Sequence, residues 1–123
     1  MIFKTIPLVI YPFDVCLSIN QTDEELLESL KDQDLNGSEP LFNLPNTCLG
    51  RTVMLPSNLT VIRLKLKEAK LIPHGVIAHE IFHASTFVMD RIGTKLKLMV
   101  SDEPYAYLIN YLTDEVYKAI YDN

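Results

Sequence analysis

Near the C-terminus, Tyr105, Leu108, Ile109, Leu112, Val116, Ala119 and Ile120 recur at the i, i+3, i+4, i+7 spacing of one helix face. This is the pattern of a buried stripe, and it commits the end of the chain to a helix packed on another element. Ser101 is a suitable N-cap, Asp102 and Glu103 favour the positive end of the helix dipole, and Pro104 is tolerated in a first turn.

The preceding segments have a different period. Phe13, Val15, Leu17 and Ile19 alternate with Asp14, Cys16 and Ser18, so residues 8–19 read as extended. Pro7 and Pro12 restrict the first half to an edge or an irregular lead-in. Thr22 and Glu25 have capping-box spacing and open a helix that runs to about Asp32. Residues 34–47, with Gly37, Pro40 and Pro45, read as a long connection. Strands are expected over Thr47–Leu55 and Leu59–Lys67, joined by a turn at Pro56-Ser57-Asn58. In the second, Ile62, Leu64 and Leu66 alternate with Arg63, Lys65 and Lys67, which predicts one packed and one wet sheet face. A helix follows from about Pro73 to Asp90-Arg91, with Gly93 as its stop, and Thr94–Val100 reads as extended. Strands and one helix followed by two helices suggest an α+β fold with a mostly antiparallel sheet.

At 123 residues the chain suits a single domain, residues 1–123. Its 48% hydrophobic and 22% charged residues argue against disorder. A net charge of −5 argues against nucleic acid or an anionic membrane as partner. Cys16 and Cys48 are too few for a disulfide framework or a cysteine-based zinc site. The N-terminal apolar run lacks a small-residue cleavage site, and no window approaches the ~18 apolar residues of a membrane helix, so a cytoplasmic protein is expected.

The chain has three histidines, all within residues 74–83. Two of them form His79-Glu80-Ile81-Phe82-His83, an H-E-x-x-H motif inside an expected helix. Residues four apart on a helix lie ~40° apart around the axis and ~6 Å apart along it, so both imidazoles leave one face. Two such nitrogens can reach one Zn²⁺ at ~2.0–2.1 Å. Glu80 sits ~100° from His79, turned away from ligation but near enough to take a proton from zinc-acidified water. Chance alone yields about 0.005 such motifs in a chain of this composition. The competing reading is a helix whose histidines serve only packing or the surface. His74 lies ~140° off the face of His79 and reads as a surface histidine near a helix start.

His79-Glu80-Ile81-Phe82-His83, followed by a helix opening Asp102-Glu103-Pro104-Tyr105-Ala106-Tyr107, resembles the zincin metallopeptidases of the gluzincin type. Glu103 to Ala106 is similar to that family's second motif, although Tyr107 stands where an Asp is common. The resemblance covers roughly residues 50–112, and the segments GRTVML, TVIRLKL, HEIFHA and DEPYAYL also look like compact zincin-like proteins of phage and prophage genomes. It implies one zinc per chain held by His79, His83 and Glu103, with Glu80 as general base. Asp102 is a candidate hydrogen-bond partner for a ligating histidine, and Tyr107 a candidate oxyanion donor. For both, the bland alternatives are a solvated first-turn acid and a packed aromatic. The family also implies a substrate backbone paired to an edge strand, either 47–55 or 59–67. The expected function is zinc-dependent hydrolysis of a peptide or protein substrate in a bacterial or phage-infected cell. The alternative is a non-catalytic zincin-fold module acting in assembly or regulation.

Overall fold

The computed structural model describes every residue except Asn46, Glu68 and Asn123, and for Pro40 and Leu41 the backbone only. Asn46, within the expected connection, therefore lies outside the described residues. The elements are β1 (Ile2–Pro7), β2 (Asp14–Ile19), α1 (Asp23–Ser29), a 3-10 turn (Glu39–Phe42), β3 (Gly50–Met54), β4 (Thr60–Leu64), α2 (His74–Arg91) and α3 (Asp102–Tyr121).

The sheet order is β1-β2-β4-β3. β1 and β3 pair antiparallel to their neighbours, and β2 pairs parallel to β4 with Leu17 opposite Ile62. The fold is α+β with a mostly antiparallel, mixed sheet. The parallel pair is possible because the chain between β2 and β4 is long enough to cross over, carrying α1 and β3 on the way. β1 was not anticipated: residues 2–7 pair as the edge strand, and residues 8–13 turn rather than extend.

Period-two alternation sends side chains to two cores. Val15, Leu17, Ile19, Ile62 and Leu64 pack with α2 (Ile77, Ile81, Val88) and with the α3 stripe (Leu108, Leu112, Val116). From the opposite face, Cys16 and Val61 pack with Val53, Leu55, Leu26 of α1, Leu30 at its C-cap, and Phe42 of the 3-10 turn. The expected wet face is thus covered at Arg63 and in part at Lys65, while Lys67 remains exposed. Arg63 is 2% exposed; its guanidinium pairs with Asp23 at 2.6 Å and donates to Gln21 O at 2.9 Å and to Phe42 O. Lys65 Nζ donates to Leu44 O at 2.9 Å. Arg63, buried, and Lys65, half-buried, therefore tie α1 and the long connection to the sheet.

Local signals hold where the physics is local. Glu25 N donates to Thr22 Oγ1 at 3.1 Å and Thr22 N to Glu25 Oε1 at 2.9 Å, closing the capping box. Gly93 ends α2 with φ +78°. Ser101 departs from expectation: its hydroxyl accepts from Lys97 N at 2.8 Å and donates to Lys95 O, so it braces the α2–α3 connection instead of capping α3. Residues 94–100 are not a strand. Thr94 N bonds Met89 O at 2.9 Å and no strand pairs beside them, so the Lys/Leu alternation remains a loop exposing Leu98, Met99 and Val100. Among the described residues, no helix is long and apolar enough to cross a membrane.

Candidate metal centre

α2 lies across β3 and β4 and packs against α3. Its buried side is Ile77, Glu80, Ile81, Ala84, Ser85, Val88 and Met89. Helical spacing brings His79 and His83 onto the neighbouring stripe, His79 exposed and His83 half-buried. Their rings meet edge to face with Nε2 atoms 3.0 Å apart. That separation is a hydrogen bond between the two rings, a few tenths of an ångström shorter than the roughly 3.3 Å that two imidazole nitrogens would keep on one tetrahedral ion at ~2.0–2.1 Å. His83 also stacks on Phe87, with centroids 6.2 Å apart and planes inclined by 24°.

Glu80 is the unusual member of the buried side. A carboxylate removed from water costs several kcal/mol unless hydrogen bonds compensate, and Glu80 is 6% exposed. β3 supplies its setting. Thr52 Oγ1 lies 2.8 Å from Glu80 Oε1, to which it donates, and 3.1 Å from Glu80 O. Two residues earlier on the same strand face is Gly50, where a Cβ would lie 2.9 Å from Glu80 Cγ and 3.2 Å from Oε2. No side chain larger than hydrogen fits there without displacing Glu80.

β3 is an edge strand, which decides between the two strands left open by the sequence. A groove of about 410 Å³ runs between residues 51–54 of this strand and Phe87. The groove, the edge strand β3 and α2 with its two histidines and Glu80 thus adjoin one another.

Glu103 is not brought into this group. α2 and α3 form an antiparallel hairpin in which His74 meets Tyr117, the two sharing a 2.6 Å hydrogen bond, and Tyr105 OH donates to Thr94 O at 2.6 Å. This register sets the first turn of α3 beside the C-terminal end of α2, past His83, and Glu103 is exposed there. Among the described residues, no three His, Cys, Asp or Glu side chains form a group able to hold a metal ion. Nor does any hydrogen bond among them join Asp102 to either histidine. Tyr107 is 70% exposed and lines an apolar groove with Leu8–Tyr11, Pro104, Leu108 and Tyr111. His74 is exposed, as its position at a helix start suggested. Gly50, Thr52 and Phe87 are the participants that sequence reasoning missed. For the first two no local signal exists, since Thr52 reaches Glu80 across 28 residues.

No protein-family model, curated protein or solved structure matches this chain.

Proposed function

We propose that this chain is a zinc-dependent peptidase. The observation that carries the reading is the convergence of His79 and His83 Nε2 to 3.0 Å beside a buried Glu80 that β3 holds in place. His79 and His83 would hold the ion, and zinc there would polarise a scissile carbonyl and acidify a water toward pKa ~7. Glu80 accepts a proton from the attacking water as its oxygen adds to the carbonyl carbon. It then delivers that proton to the departing amine as the C–N bond breaks. β3, last in the sheet order, is the edge strand to which this reading assigns an extended substrate.

Glu103 is the third donor this reading carries over from the sequence. In the structure Glu103 stands in the first turn of α3, and among the described residues it forms no metal-holding group with His79 and His83. The reading places the chain in the cytoplasm of a bacterial or phage-infected cell, a reducing compartment in which two free thiols are at home. The second reading is a non-catalytic zincin-fold zinc-binding module acting in phage or bacterial protein assembly or regulation.

Metal analysis and peptide-library cleavage, run together on the parent and on Glu80→Gln, separate these readings. A peptidase gives about one zinc per chain in both proteins and cleavage only by the parent. Zinc in both without cleavage by either supports the module. Failure of the parent to bind zinc after reconstitution rejects both. Glu103→Ala should weaken zinc binding at least ~10-fold, and unchanged affinity would remove Glu103 from the ligand set.

A further inference from the structure

We infer that the cleft between α1 and the end of β4 is a binding site for the phosphate group of a small organic molecule. It lies on the sheet face covered by α1, away from α2 and its histidines, and does not depend on the peptidase reading. The cleft measures about 740 Å³, within the range of sites that take small-molecule ligands. Arg63, Lys65 and Lys67 line it at alternate positions of the chain, and Asp23 and Glu24 line it from α1. Three cations against two carboxylates leave a local charge of +1 in a chain whose net charge is −5.

The carboxylate of Asp23 is already engaged by Arg63, at 2.6 Å. The donors of the cleft are not all answered. Arg63 is 2% exposed, yet its Nε is buried with no hydrogen-bond partner among the described residues. Asp23, Gln21 O and Phe42 O hold the guanidinium by its Nη atoms, so its order exists before a ligand arrives. Lys65 Nζ spends one of its three N–H groups on Leu44 O. Lys67 is exposed, and its ammonium has no partner among the described residues. Asn20 Oδ1 is turned to Leu66 N and Lys67 N, which leaves its Nδ2 as a further donor on the cleft wall. A phosphate monoester meets donors from four side chains with three oxygens and about two negative charges, whereas a carboxylate offers two oxygens and one charge. Leu44 and Leu49 give the organic part an apolar wall. Glu24, exposed and without a partner among the described residues, opposes an anion, so its charge lowers affinity.

The test is calorimetric titration of the full chain with phenyl phosphate, a dianion at pH 7.5 because its second pKa is ~6. Saturable binding is expected, at least ~10-fold tighter than that of benzoate. Lys67→Gln should weaken it ~5–10-fold and Glu24→Gln should tighten it ~2–5-fold at low salt. Both side chains are exposed, so both variants should fold as the parent does, which far-UV circular dichroism checks. In ¹⁵N-labelled protein the ligand should shift the Arg63 Hε resonance and the amides of Asn20, Lys65 and Lys67. Absence of binding, equal affinity for benzoate, or an affinity untouched by either variant would overturn the phosphate site. So would shifts confined to α2, which would place the ligand at the histidine face instead.

Discussion

Asn20 sits where β2 ends, with φ 60°, and its side chain repays that conformation. Asn20 Oδ1 accepts from Leu66 N at 2.8 Å and Lys67 N at 2.9 Å, serving two main-chain donors just beyond β4. Asn20→Ala loses both bonds and keeps the left-handed backbone, so urea denaturation should show a loss of about 2–3 kcal/mol. Met99 has a similar φ of 62° and an exposed side chain that makes no compensating bond among the described residues. Met99→Gly should therefore stabilise the protein by about 1 kcal/mol in the same assay. The cysteines differ as well. Burial pushes the Cys16 thiol above its ordinary pKa; the Thr5 hydrogen bond opposes this and the charge of Asp14 adds to it. Iodoacetamide at pH 8 should alkylate half-buried Cys48 at least ~10-fold faster than Cys16, as peptide mass mapping would read.

Between elements, the informative contact is Arg63. α1 is only 7 residues long and buries Leu26 within its span and Leu30 at its C-cap, too little to fix a helix by packing alone. The capping box orders its first turn, and the Arg63 guanidinium anchors that end to β4 through Asp23 and Gln21 O. The same group reaches Phe42 O, so one side chain joins the central sheet to both pieces of the covering layer. Arg63→Met should cost about 3 kcal/mol, because it leaves carbonyls without a donor as well as breaking the ion pair. The measurement is the denaturation midpoint at unchanged m-value. A fall in m would instead report that the α1 layer has detached in the native state.

At the scale of the molecule, β2 and β4 are the shared centre. Their alternate side chains enter both cores, so neither layer can melt without exposing the other face of the same strands. One cooperative transition is expected. Five of the 6 tyrosines, at 105, 107, 111, 117 and 121, lie on α3 and the chain has no tryptophan, so tyrosine fluorescence reports from the α3 side. Leu26→Ala, on the opposite layer, should lower stability by about 3 kcal/mol and move the fluorescence and far-UV circular dichroism midpoints together. Separated midpoints would show that the two layers unfold independently.

By itself the sequence determined whatever depends on neighbours within a few positions. The α3 stripe, the Thr22–Glu25 box, the Gly93 stop and the placement of His79 and His83 on one helix face follow from the i to i+4 geometry of the helix. The tertiary structure decided what depends on partners far along the chain. Alternation in 59–67 showed that two faces exist but not that α1 and Phe42 would cover the second, which turned Arg63 from a surface cation into a buried anchor. A strand's parity likewise carries no information about which neighbour it pairs with, so β1, the parallel β2–β4 pair and the edge position of β3 were illegible. The candidate site divides in the same way. Its histidine pair belongs to one helix, whereas the Thr52–Glu80 contact and the place of Glu103 are products of how β3 and α3 dock against that helix. Docking is set by the summed burial of both cores, a quantity no local pattern encodes.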